Sequence, residues 1–279
     1  MACKLIMATR NTHTKSSVDP QSRRRVYSAP ALEKGLDILQ LLAEEPDSIS
    51  LTEVADRLDR SVGEIFRMLA VLEQRGFVRT SPGSDRYQLS MKLFQLAHLH
   101  LPVSRLTRAA DVPMRRLALS TGQSCHLTVL SGMRIVVIAK HDSFRDRNFS
   151  MRVGAESPIF ASCSGRIFYA LADELSRRAL LGWMVRVGED TSAAAATEKR
   201  AAKIRRSGIL EIVSETVAGI TDLGTPVYDH HGGVAASLVI PFLHRLNKND
   251  AQELNESRRA LLEAGREISH ALGARTDHK

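Results

Sequence analysis

Apolar residues recur at helical spacing early in the chain, at Leu32, Leu36, Leu39 and Leu42. This spacing predicts a helix that opens at Ser28 and Pro30, buries those leucines and stops near Glu44-Glu45-Pro46. Two shorter periodic segments follow in SLTEVADRLDRSVGEIFRMLAVLEQRG, residues 50–76. Each opens on S-x-x-E, first Ser50-Leu51-Thr52-Glu53 and then Ser61-Val62-Gly63-Glu64. In this capping box the serine hydroxyl takes the third-residue N–H, and the glutamate reaches back to the cap's own N–H. The predicted helices cover 51–58, with Leu51, Val54, Ala55 and Leu58 on one face, and 62–75, with Ile65, Phe66, Leu69 and Leu72 inward. Only Asp59-Arg60 and the second cap separate them, and Gly76 supplies a left-handed stop. Phe77-Val78-Arg79 and Arg86-Tyr87-Gln88-Leu89 then flank the turn Ser81-Pro82-Gly83-Ser84-Asp85, a hairpin signal. Three helices and a hairpin make a winged helix–turn–helix.

Past this point the texture changes. Apolar helices are predicted over 92–100, read as a linker, and over 104–120. Strands are predicted at 125–130 and 135–139 around Ser131-Gly132, and at 149–153. A helix over 164–171 and helices across 173–206 follow. Strands return at 209–220, 223–228 and, after His230-His231-Gly232-Gly233, at 234–240. An amphipathic helix over 250–272 closes the pattern. Strands mixed with helices without strict alternation predict an α+β domain. The expected division is a disordered basic arm over 1–27, a DNA-binding domain over 28–90, a linker helix over 91–102 and a second domain over 103–273.

Composition adds bounds. A chain of 279 residues, 43% apolar and 25% charged, suits two ordinary globular domains. No apolar run has the length of a membrane span, and Leu5-Ile6-Met7 is too short for a signal-peptide core, so a cytoplasmic protein without membrane contact is expected. Cys3, Cys125 and Cys163 are few and scattered, which argues against a disulfide framework, a zinc site or any metal cofactor. The formal net charge of +8 is unevenly spread: +5 over residues 1–30, −3 over 31–100 and +6 over the rest. The helix–turn–helix segment is therefore no basic domain, and DNA binding must rest on placed arginines and on the arm.

The order of segments resembles the IclR-type bacterial transcriptional regulators over about residues 30–273. ALEKGLDILQLLAE is similar to that family's first helix, and SLTEVADRLDRSVGEIFRMLAVLEQRGFVR to its helix–turn–helix. DRYQLSMKLFQLA resembles its wing-to-linker passage. GQSCHLTVLSGMRIVVIA and RVGAESPIFASCSGRIFYAL resemble its effector-domain strands and pocket helix, and VAGITDLGTPVYDHHGGVAASLVIP its closing strands. The resemblance implies a GAF-like α+β effector-binding domain and a dimer or tetramer. It also implies operator DNA as one partner and a small organic acid or related metabolite as another, with no cofactor.

Within the helix–turn–helix, Ser61, Val62, Glu64 and Arg67 take the early exposed turns that read base edges in the major groove. Arg67 can donate twice to guanine or contact a phosphate. Glu64 can accept from cytosine or merely complete its capping box. Arg79 and Arg86 on the wing, with Thr52 and Arg60, fit phosphate positioning. Arg23-Arg24-Arg25 either enters a minor groove or idles.

In the second domain, Ala161-Ser162-Cys163-Ser164-Gly165-Arg166 is a small-residue loop opening a helix, a place with free N–H groups and a positive dipole end. The resemblance places a ligand's acid group on Cys163, Ser164 and Gly165, with Ser162 beside it in the effector site; by itself the loop reads rather as a core helix capped by Ser162, with nothing bound. Strand parity puts Ile220 and Asp222 on one face, and the resemblance turns that face to the pocket. There Asp222 replaces a small residue or cysteine. Asp222 could instead point outward and end the strand. SLVIP places Ser237 and Val239 on a further wall, with Pro241 beyond, and Phe149 and Met151 are expected against the ligand's carbon skeleton. His126 reads as a hydrogen-bonded core or interface histidine, and His230-His231 as a solvated turn. No histidine neighbours Cys163 and G-x-S-x-G is absent, so catalysis is not expected. The rival classes are an enzyme with an accessory DNA-like domain and a ligand-free interaction module.

Overall fold

The computed structural model describes residues 28–81, 83–99, 101–246 and 249–274; the arm over 1–27, with Arg23-Arg24-Arg25 and Cys3, lies outside them. The chain divides into two compact units between Phe94 and Gln95. In the first, α1 (Pro30–Glu44), α2 (Leu51–Arg57) and α3 (Val62–Gln74) precede β2 (Val78–Thr80) and β3 (Arg86–Leu89). Both capping boxes form. The Ser50 hydroxyl accepts from the Glu53 amide at 3.3 Å, and Glu53 accepts from the Ser50 amide at 2.6 Å. At Ser61 and Glu64 the two bonds are 3.4 and 3.3 Å. Between the helices Asp59 adopts φ +50°, the left-handed bend that turns α3 away from α2, and α3 stops at Gly76 with φ +76°. Ile38, Leu42, Ile49, Val54, Ala55, Ile65, Leu69 and Val78 form the core of this unit.

Three expectations need correction here. Leu32 and Leu36 point outward, 63% and 51% exposed, while Ile38 and Leu42 are buried. On a leucine-rich helix two stripes satisfy the same spacing, and packing against α3 and β3 selects one. Phe66 also faces solvent, 54% exposed, because Ile65 and Leu69 already fill α3's inner line. A two-residue strand, β1 (Ile49–Ser50), pairs with β3 through Ile49–Tyr87 and Ser50–Arg86, giving the sheet order β1-β3-β2. Two residues are too few to show an alternation.

The second unit carries a six-stranded antiparallel sheet ordered β6-β5-β4-β9-β8-β7. Its strands are β4 (Cys125–Ser131), β5 (Arg134–His141), β6 (Glu156–Pro158), β7 (Leu210–Val213), β8 (Ile220–Tyr228) and β9 (Val234–Leu243). After α4 (Lys92–Leu99), α5 (Leu101–Thr121) and α9 (Asp250–Ala271) cover one face. There Met114, Leu117, Leu261 and Ile268 meet Leu127, Leu223, Leu238, Ile240 and Phe242. The other side carries α6 (Cys163–Leu171), α7 (Glu174–Val187) and α8 (Ala194–Ser207), with α6 against β8 and β9. No described helix is long and apolar enough to cross a membrane.

The strand expected at 149–153 is absent; that segment is irregular, and the edge strand forms later at Glu156–Pro158. The strand expected over 209–220 is broken after Val213, because the Ser214 hydroxyl accepts from the amides of Thr216 and Val217 and bends the chain.

Candidate functional site

The exposed side of α3 shows how local bonding sorts the expected DNA-reading residues. Ser61 and Glu64 are committed to their cap, and Lys34 on α1 closes on Glu64 at 2.6 Å. The Lys34 hydrogen bond, then those from Ser61, hold the Glu64 carboxyl down at about 2. Glu64 is therefore a structural anion tying α3 to α1. Val62 and Arg67 stand free on the outer surface, as do Arg60 and Arg79, none with a carboxylate partner among the described residues. Thr52 is exposed, its hydroxyl 3.1 Å from that of Ser50. Arg86 differs: its Nε donates to the Ser48 carbonyl at 2.8 Å, and its guanidinium meets Glu53 at 3.1 Å. It clamps β3 to the start of α2.

In the second unit, α6 begins where the chain turns back from β6. Ser162 caps it, accepting the Gly165 amide at 3.1 Å. That consumes the Gly165 donor and leaves the amides of Cys163 and Ser164 at the helix's positive end. Gly165 serves packing instead: a Cβ there would lie 2.0 Å from the Ile159 carbonyl oxygen. In front of this turn lies a cavity of about 270 Å³. Ala161, Ser162, Cys163 and Ser164 form one wall; Phe149, Met151, Ile135 and Val137 another; Val239, Pro241 and Asp222 a third. His126, Thr128, Ser157, Ser214 and Thr216 complete it.

Seven of the ten expected effector residues therefore line one cavity: Phe149, Met151, Ser162, Cys163, Ser164, Asp222 and Val239. The other three do not. Gly165 is packed beneath the helix, Ile220 is buried off the cavity, and Ser237 is fully buried with its hydroxyl unpaired. Asp222 sits between Ile212 of β7 and Pro241 of β9. Burial raises its carboxyl to about 6, with Arg166 opposing, and no hydrogen bond reaches it among the described residues. Arg166 itself is held by the Phe160 carbonyl and by Glu215, both at 2.8 Å. Burial, then the Asp222 charge, pushes the Cys163 thiol well up, and Arg166 opposes this; a thiol so protonated is no nucleophile.

The main residue missed from the sequence is His126. It is not a hydrogen-bonded core histidine: it is 8% exposed, lines the cavity and leaves Nδ1 without a partner. Burial lowers its imidazole to about 4, so it is neutral at ordinary pH. The parity of β4 carried the signal, since Cys125 and Leu127 face the core and so turn His126 and Thr128 to the cavity side.

A winged helix–turn–helix followed by an α+β domain with a cavity at the start of α6 is the architecture of a helix–turn–helix transcription regulator. The family model for the IclR helix-turn-helix domain matches residues 31–82, and that for the bacterial transcriptional regulator IclR C-terminal domain matches 98–270. The chain belongs to the IclR family of bacterial transcriptional regulators. It is 29% identical over 249 residues to the HTH-type transcriptional regulator KdgR of Escherichia coli, covering 88% of this chain and 94% of that one. The crystal structure of Thermotoga maritima IclR superposes with a TM-score of 0.70 at 25% identity, over 87% of this chain and 98% of that one. An IclR homologue from Microbacterium hydrocarbonoxydans, complexed with 4-hydroxybenzoate, shares the fold at a TM-score of 0.70 and 18% identity, over 87% and 98% of the two chains.

Proposed function

We propose that this regulator is a cytoplasmic repressor, and that a small monocarboxylate with a second polar group controls its grip on operator DNA. The observation that carries the reading is the cavity itself, which joins two free helix-end amides to the unpaired His126 imidazole and the half-buried Asp222 carboxyl. The ligand's carboxylate goes to the Cys163 and Ser164 amides, its carbon skeleton to Phe149, Met151 and Val239, and its hydroxyl or amine to Asp222. A second carboxylate is disfavoured, since it would meet the Asp222 charge in a poorly hydrated space. The Microbacterium neighbour binds a monoacid bearing one hydroxyl, 4-hydroxybenzoate.

The proposed domains are 28–90 for DNA, 91–102 as linker and 103–273 for the effector. DNA contacts fall to Val62 and Arg67 on α3 and to Thr52, Arg60 and Arg79 for phosphates, with Ser61 and Glu64 shaping the helix start and Arg86 bracing the wing. Self-association as a dimer or tetramer is supported by α4, which leaves Leu93, Leu96 and Leu99 exposed. Binding of the effector shifts the assembly between DNA-competent and DNA-incompetent states.

The test is a thermal-shift comparison of 4-hydroxybenzoate, glycolate and succinate with wild-type protein and Asp222→Ala. A hydroxy monocarboxylate should raise Tm in the wild type only, while operator affinity without ligand is equal in both. Succinate binding most tightly, or an undiminished response in Asp222→Ala, overturns the ligand assignment. Inserting ~5 bp, half a turn, between operator half-sites should weaken binding sharply if two winged domains bind as a fixed pair.

A further inference from the structure

On α3, Ile65 and Leu69 point into the core, but Phe66 is turned out, 54% exposed, one helical turn beyond Val62, itself 44% exposed. At 100° per residue Val62 and Phe66 form one line along the helix, and Gly63 and Arg67 the next. Gly63 is open; nothing lies within 4 Å of where its Cβ would be. The early turns of the helix therefore present two apolar side chains beside a bare backbone and a guanidinium.

Arg60, Arg67 and Arg79 are exposed and carry no carboxylate partner among the described residues. Glu64, the acid of this first turn, is neutralised by Lys34 at 2.6 Å on the opposite flank. An apolar line beside the unpaired Arg67 on the same helix suits a major groove, where thymine presents its C5-methyl between rows of phosphates.

We infer that Phe66, with Val62 behind it, reads thymine methyl groups in the major groove next to the base pair that Arg67 contacts. The inference rests on α3 being the DNA-reading helix and adds to it a residue type that hydrogen-bonding logic overlooks. Phe66 is specificity-determining: it favours thymine over cytosine at its position through a contact that makes no hydrogen bond.

The experiment starts from the full chain and a random-sequence duplex library. After enrichment, each thymine of the selected half-site is replaced singly by uracil, which deletes the methyl and keeps every base-pair hydrogen bond. One or two positions should lose about fourfold in affinity, the weight of one buried methyl at ~0.8 kcal/mol. In Phe66→Ala the thymine and uracil duplexes should bind alike, while Phe66→Leu should keep part of the difference. Uracil tolerated at every position in the wild type overturns the assignment. So does Phe66→Ala that preserves thymine discrimination; if it also changes the sedimentation mass, the face belongs to a protein contact. A wild-type protein that enriches no sequence overturns the DNA-reading role of α3 as well.

Discussion

Replacing Asp222 by Asn should stabilise the protein at pH 8, and the size of the effect follows from the site. The Asp222 carboxyl is raised from 3.8 to about 6. At 1.36 kcal/mol per unit this is about 3 kcal/mol. The folded state holds this proton more tightly than the unfolded chain, so stability is lost as pH rises from about 4 to about 6, and the full penalty persists above. His126 acts in the opposite direction. Its pKa falls from 6.5 to about 4, so the unfolded chain binds the proton first, and about 3 kcal/mol is lost as pH drops across that window. In the wild type the two slopes nearly cancel between pH 4 and 6.5, and each substitution should expose the other. Asp222→Asn should gain up to about 3 kcal/mol at pH 8, little at pH 4, and become steadily more stable as pH rises through the window. His126→Gln should do the reverse. The single tryptophan, Trp183 on α7, reports on the second unit, so urea unfolding followed by its fluorescence at several pH values is the assay. Comparing variant with wild type at each pH removes the contribution of every other titrating group. An Asp222→Asn curve that runs parallel to the wild type and no higher at pH 8 would refute the reasoning.

Arg67→Ala should cost about 1–3 kcal/mol of operator affinity and flatten preference at one base pair, whereas Arg79→Ala should weaken all sequences and reduce the salt slope by about one unit. Arg86→Ala should instead lower thermal stability, leaving the salt slope almost unchanged, because its guanidinium is already engaged by Glu53 and the Ser48 carbonyl. Ser61→Ala removes the cap of α3 and should cost about 1 kcal/mol, visible in the thermal midpoint, with little change in base preference. Gly165→Ala should destabilise the second unit by roughly 3 kcal/mol or more, since its Cβ meets the Ile159 carbonyl oxygen; an unchanged Trp183 unfolding curve would contradict that.

Local chemistry is legible in the order of residues alone. The two S-x-x-E boxes, the glycine stop of α3, the hairpin about Ser81–Asp85 and the closing amphipathic helix depend on side chains acting on their own backbone within four residues. So does the Ser162 cap; strand parity put Ile220 and Asp222 on one face, and only the family resemblance turned that face to the pocket. Tertiary packing decided what only distant parts of the chain could settle. It turned Leu32, Leu36 and Phe66 outward, because helical spacing admits two stripes and only contact with the rest of the core selects one. It drew the guanidinium of Arg86 inward to Glu53, using as a brace what the wing position alone offered to phosphate. It brought His126 from β4 within one cavity with Asp222 of β8. Strand order determines which distant residues share a pocket, and no local pattern encodes it.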